Sequence, residues 1–338
     1  MTTSTNVPEQ ASGLTRRDFL LRLGYAAAVT LTAGGLALVC HETEGLPVQS
    51  SPKALPGLGN YGLPGLTGVA GKMAIVEGRE RPQMVRQGLE ALGGLGTFIQ
   101  AGDRVLLKVN AAFASPPALG ATTHPELLAT VANLCFEAGA SQVLVTDNPI
   151  NDPPTCFRIS GLEAAAKQAG ARLILPRPAL FHPVSLPAGR LLQQWPTLAG
   201  VFANVTKVIL LSPVKDHQRA GASMTLKNIY GFLGGRRNVF HQDINGIITE
   251  LALLLRPTLC FLDGTVSMIT NGPTGGSLSD LKETGVMVIS TDPVAADAVG
   301  VEILGRRQAA IPYLQMAAAA GAGLADYEQL KPLRIRAQ

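Results

Sequence analysis

Lys215, Asp216, His217, Lys227, Asn228 and His241 gather within residues 207–241 of this 338-residue chain. An apolar run, KVILLSPVK, brings Lys215, Asp216 and His217 to the exit of what reads as a strand. Beyond it stand Lys227 and Asn228, then a glycine-rich turn, then His241. Such groups hold anions, ligate metals or move protons near neutral pH. Lys227 carries the sharpest expectation. In an apolar, glycine-rich segment, desolvation lowers a lysine's pKa and makes it a base, a covalent anchor or an anion ligand. Lys227, His217 and Lys215 are therefore the catalytic candidates. His217 and His241 could equally ligate a metal or act as acid/base groups, with a divalent ion as one cofactor the pattern allows.

The elements that must position these groups alternate between short apolar runs and helical stretches. Strands are expected at 72–76, 104–109, 142–146, 172–175, 207–211, 258–262 and 285–290. Helices are expected near 82–95 and at 125–138, 161–169, 246–255, 293–304 and 312–320. That rhythm predicts an α/β fold, a mainly parallel sheet with helices on both faces, built as one large domain or two intimate lobes. Residues 176–206 interrupt it with Pro, Gly and Trp195 and read as an antiparallel insertion. Sites in open α/β sheets lie beyond the C-terminal ends of strands. Lys108 and Asn110, Asp147 and Asn148, Lys215 and His217, Asp263, and Asp292 all follow such strands, and one cleft is expected to collect them.

Several motifs have a plain structural reading beside the functional one. Thr123-His124-Pro125-Glu126 looks like a helix start, and Asp292-Pro293 has the form of an N-cap followed by proline. Asp297 lies inside that second helix without a capping duty and is the better site candidate. The stretch from Gly231 to Arg237 joins glycines to two cations and could grip a carboxylate or phosphate through Arg236. Asn271-Gly-Pro-Thr-Gly-Gly276 is either an anion nest or an ordinary turn. The substrate-binding candidates are Lys108, Asn110, Asn228, Arg236, Asp147, Asp263 and Asp297. No HExxH, GxSxG or Walker pattern is present, which weakens hydrolase and nucleotide readings.

The N-terminus carries a separate message. Thr15-Arg16-Arg17-Asp18-Phe19-Leu20-Leu21 reads as a twin-arginine export signal before an apolar run from Leu23 to Val39. Residues 1–40 are expected to be the signal, 41–71 a Pro/Gly-rich linker and 72–330 the α/β domain. Val39 spoils a lipobox at Cys40, so release into the periplasm is favoured over an uncleaved anchor, the one route to membrane contact. The translocase is the expected partner during export. Removing residues 1–40 takes away three arginines against Glu9 and Asp18, lowering the net charge from +4 to +3, too mild a surplus for nucleic acid. Cys135, Cys156 and Cys260 lie far apart, without a CxxC pair. No iron–sulfur centre built by this chain is expected, and Cys135 and Cys260 read as core residues.

Taken together, LLKVN, TTHPE, VTDN, the block from Val214 to His241, FLDG, NGPTGG and STDPVAADAVG resemble the family called domain of unknown function 362. The likeness spans roughly 72–305 and implies the fold and the position of the site rather than an activity. Many relatives carry an iron–sulfur module, whose cysteines this chain lacks. The His217-x9-Lys227 spacing with a later histidine is also similar to the nickel-pincer lactate racemase family. That resemblance implies Lys227 as a cofactor attachment point, His241 as a metal ligand and His217 as a proton-transfer group. The expectation is an exported enzyme doing proton-transfer or metal-assisted chemistry on a small anionic substrate. The alternatives are a non-catalytic periplasmic metal- or anion-binding or assembly protein, and a redox partner subunit.

Overall fold

The structure is a computed structural model that describes residues 15–39 and 58–337. The first part of the expected signal, Cys40, and the expected linker up to residue 57 lie outside the described residues. The chain divides into two units, Met1–Ala54 and Leu55–Gln338. In the first, helix α1 (Arg16–Val39) takes in both the arginine pair and the apolar run. The Thr15 hydroxyl opens it by accepting from the Asp18 amide. Among the described residues no helix is long and apolar enough to cross a membrane.

The second unit begins with β1 (Met73–Glu77), α2 (Arg81–Ala91), β2 (Arg104–Lys108), α3 (Pro125–Glu137) and β3 (Gln142–Thr146). It continues through α4 (Pro153–Ile159), α5 (Leu162–Gln168) and β4 (Arg172–Leu173) to a hairpin of β5 (His182–Val184) and β6 (Trp195–Thr197). Then come β7 (Lys207–His217), β8 (Gly221–Ser223), the short α6 (Thr225–Asn228) and α7 (Ile244–Leu254). β9 (Leu259–Met268), β10 (Leu281–Ser290), α8 (Pro293–Ile303), α9 (Pro312–Ala319) and β11 (Leu333–Arg336) complete it.

The sheet runs β11-β1-β10-β9-β7-β2-β3-β4, with β8 paired to β7. From β9 to β4 every pairing is parallel, while β10 runs against both of its neighbours. Because side chains alternate along a strand, each inner strand feeds two cores. Leu106, Leu210 and Leu262 pack with α7, α8 and α9 on one face. Leu107, Leu211 and Phe261 pack with α2, α3 and α5 on the other. Both faces of the central strands are covered, which is why their sequences are continuously apolar. The α/β class, the helices on both faces and the antiparallel insertion agree with expectation.

β7, which carries Lys215 and His217, is longer than expected. β7 pairs with β2 only from Lys207 to Leu210. It then projects past β2, still paired with β9 as far as Lys215 opposite Met268, and folds back on β8, with Lys215 opposite Ser223 and His217 opposite Gly221. Lys215, Asp216 and His217 are thus part of a projecting arm rather than residues beyond a strand end.

Candidate cationic cavity

That arm, the segments after β2 and β3, α6 and the stretch to His241 enclose a cavity of about 170 Å³. Its base is a saturated ion pair. Lys108, fully buried, sets Nζ 2.7 Å from Asp147 Oδ1 and donates to the Val109 carbonyl and to Asn228 Oδ1 at 2.7 and 2.9 Å. Asp147 also accepts from the amides of Ala111 and Asn148. Asn228 donates to the carbonyls of Lys108 and Leu211 and to the Ser212 hydroxyl. Every strong group here has partners, so the trio ties α6 to the ends of β2 and β3. Gly231 passes so close that a Cβ would come within 2.2 Å of Asp147 Oδ1 and 2.6 Å of Lys108 Nζ; glycine is needed there for close approach.

Above this base the charge is unbalanced. Lys215, Lys227 and Arg237 line the cavity, and the carboxylate among the lining residues is that of Asp147, already committed to Lys108. Lys215 is buried, with Nζ 2.6 Å from the Ala121 carbonyl, 3.4 Å from Asn110 Oδ1 and over the Phe113 ring at 5.2 Å. Burial, aided by the charge of Lys227, pushes its pKa down to about 7. Lys227 keeps part of its surface exposed, with Nζ over the Tyr230 ring at 4.0 Å and no ion pair among the described residues. Desolvation, then the charges of Arg237 and Lys108, bring it down to about 7 as well.

The two histidines close the cavity in different tautomers. His217 Nδ1 faces the amides of Arg219 and Ala220, each at 3.2 Å. Amides only donate, so Nδ1 accepts and the neutral ring carries its proton on Nε2. His241 Nδ1 lies 3.2 Å from the Asn238 carbonyl. A carbonyl only accepts, so Nδ1 holds the proton and Nε2 keeps a free lone pair. Burial, then the charges of Lys227 and Lys215, pushes His217 down to about 3. Burial and Lys227 lower His241 too. Both rings are neutral at pH 7, one a donor and one a base.

Among the described residues no three His, Cys, Asp or Glu side chains converge on a metal position. Within the cavity His241 has a lone pair to give, His217 presents an N–H and Asp147 is occupied. Three surrounding cations oppose another positive charge. The protein's own donors do not fit a divalent cation, and no step is assigned to one.

Of the residues expected at the site, Lys215, His217, Lys227, Asn228, Asn110, Asp147 and His241 line this cavity, and Lys108 lies directly beneath it. Three do not. Arg236 is exposed, and Arg237 takes the place expected of it; two adjacent arginines carry no signal that says which turns inward. Asp263 sits mid-strand in β9 with Oδ2 2.6 Å from Arg81 Nε, in a separate small pocket with Thr122 and His124. Asp297, expected to have no capping duty, has one toward another element. It accepts the amides of Thr225 and Leu226 at 2.7 and 3.1 Å and so caps α6, which carries Lys227. Burial raises its pKa to about 7. Asp292 caps α8; it follows β10, which runs antiparallel, so its strand end points to the opposite edge of the sheet. Tyr230, Phe113 and Ser223 also line the cavity and were not singled out from sequence, since their types are ordinary in cores and loops; Pro273 and Thr274, from the loop read as nest or turn, line it too. The Asn271–Gly276 segment is held over the arm, with the Gly272 amide donating to Asp216 Oδ2 at 2.9 Å.

Comparison with known proteins matches the same region. The chain is 32% identical over 238 residues to a thylakoid-associated protein of Synechocystis sp., covering 66% of this chain and 70% of that one. Among solved structures, the lactate racemase apoprotein from Thermoanaerobacterium thermosaccharolyticum is a distant likeness, with a TM-score of 0.39 and 12% identity. It covers 73% of this chain, which spans 61% of the racemase chain. Residues 105–302 match the domain of unknown function DUF362. That span is more than half of the chain and contains every residue lining the cavity, and on this ground the protein belongs to the DUF362 family.

Proposed function

We propose that this protein is an enzyme that holds a small organic anion in the cavity and moves a proton on it. The observation carrying this reading is the charge imbalance: Lys215, Lys227 and Arg237 face a cavity whose lining carboxylate is neutralised by Lys108. An anion supplies the missing charge. A space of about 170 Å³ corresponds to roughly five or six water volumes, the size of a small acid's reacting end. In this reading Lys215 and Lys227 bind the anion, His217 donates from Nε2, and His241 Nε2 is the base. Lys227, with a pKa near the working pH, can return the proton. Asp297 positions Lys227 through α6.

The test is solvent exchange. Full-length protein is incubated in heavy water with a panel of small carboxylates, and loss of substrate C–H signals is followed by proton NMR. Exchange that disappears in His241→Gln while the acid still binds is the expected result. Binding without exchange across the panel would make this an anion-binding protein. No binding of any acid would remove the reading altogether.

Export through the twin-arginine translocase is part of the proposal. The Thr15–Leu21 motif supports it, as does the thylakoid association of the Synechocystis relative. Replacing Arg16 and Arg17 by lysine should trap the protein in the cytoplasmic fraction; unchanged fractionation would overturn it.

A further inference from the structure

Five residues of the cationic cavity, Asn148, Ile150, Tyr230, Arg237 and His241, also line a larger depression of about 470 Å³. Shared walls make the two spaces adjoin, and burial orders them. Lys215, Ser223 and Asn228, which line only the first, are buried, whereas Gly235 and Asn238, which line only the second, are exposed. The depression is an outer groove leading to an inner cavity.

Charge falls away in the same direction. Lys215 and Lys227 line the inner cavity and not the groove. Arg237 reaches both, but its Nη1 donates to the Leu233 carbonyl at 3.1 Å and its Nη2 to those of Asn148 and Pro149 at 2.8 and 3.0 Å. It fastens the groove's two walls together and keeps little capacity for a ligand. The groove lining contains no carboxylate. What it presents is apolar: Ile150, 65% exposed, beside Pro149, Phe181 and Tyr230. Phe181 is seated against Gly234, where a Cβ would come within 2.5 Å of its ring. A lone exposed isoleucine means little, but one that continues an apolar wall into a charged cavity marks a place for a ligand.

We infer that the ligand is an amphipathic organic acid, its anionic head at Lys215 and Lys227 and an aliphatic or aromatic tail along Ile150, Phe181 and Tyr230. This rests on the anion-binding reading above and adds the direction in which the ligand lies and the chemistry of its far end. Inorganic phosphate or a short dicarboxylic acid would leave the groove empty.

The experiment is a calorimetric titration of full-length protein with straight-chain carboxylates from acetate to hexanoate. Affinity should rise roughly threefold to fourfold for each methylene the groove covers. Ile150→Ser and Phe181→Ser should each flatten that dependence on chain length. Ile150 is exposed, so its replacement leaves the fold intact, and an unchanged thermal midpoint verifies this. Equal binding of acetate and hexanoate to the unmodified protein would overturn the amphipathic ligand and leave the anion site standing. A chain-length dependence that survives both substitutions would overturn it too, because the tail would lie elsewhere. Failure of every acid to bind would bring down the anion-binding reading itself.

Discussion

The imidazoles of His217 and His241 lie 6.2 Å apart between ring centroids and 16° from parallel, yet carry their protons on opposite nitrogens. Two backbone amides fix one tautomer and a backbone carbonyl fixes the other. The cavity they line is thus offered a donor by one ring and a base by the other, an asymmetry set by the main chain.

Long-range proton–nitrogen NMR at pH 7 should therefore find His217 protonated at Nε2 and His241 at Nδ1. His217 should stay neutral down to about pH 3, below its ordinary 6.5. Between those values the unfolded chain binds a proton that the folded one refuses, so stability falls as pH drops from 6.5 toward 3. Denaturant titrations of the unmodified protein and His217→Gln should diverge over that window. Parallel curves would remove the assignment.

The two lysines act in a higher window. Each is held near 7 against an ordinary 10.5. The unfolded chain keeps these protons up to about pH 10 while the folded one releases them near 7, so stability should increase as pH rises from 7 toward 10. A bound anion favours the protonated lysines. Its affinity should weaken above pH 7, and its binding at pH 8 should take up protons, measurable by calorimetry in buffers of different ionisation heat. Lys215→Met should stabilise the ligand-free protein by about 1–3 kcal/mol and lose the anion.

Removing Asp147 should have the opposite effect. Asp147→Leu leaves Lys108 buried and unpaired, at a cost of about 3–5 kcal/mol. Adding Lys108→Met should recover part of that loss, because the two changes share one interaction. Chemical denaturation of both single variants and the double variant gives the coupling; simple additivity would contradict the pairing.

Asp297 and Asp263 provide a matched contrast. Asp297→Ala removes the acceptor for two α6 amides, costing about 1–3 kcal/mol, and should weaken anion binding by freeing the helix that carries Lys227. Asp297→Asn, which keeps one carbonyl acceptor, should recover part of the affinity. Asp263→Ala breaks the pair with Arg81 and should leave anion affinity within about twofold, since the nearest charge it alters lies outside the cavity. Equal losses of binding in both alanine variants would refute the positioning role.

Local pattern was sufficient for much of this protein. Continuous apolar runs between helical stretches specified a covered, mainly parallel sheet, because strands buried on both faces have no polar side to show. The concentration of Lys215, His217, Lys227, Asn228 and His241 in one segment survived folding intact: the arm, α6 and the following turn are consecutive, and short loops keep them adjacent. The C-terminal-edge rule placed Asn110 and Asp147 correctly because β2 is a parallel neighbour of β7 and β3 a parallel neighbour of β2.

The tertiary structure decided the rest. Asp292 failed the edge rule because β10 is reversed, and strand direction depends on pairing partners that no single run of residues encodes. Asp297 became a cap for a helix about seventy residues earlier in the chain, a relation that exists only once α8 packs against α6. The selection of Arg237 over Arg236, the tautomers of the histidines and the depressed pKa of Lys215 follow from which backbone groups and charges end up nearby. Residue types and their order determined what chemistry this chain could carry. Burial and long-range contact decided which groups are neutral, which are committed to one another and which are left facing the cavity, because desolvation and Coulomb energy depend on distances in space rather than along the chain.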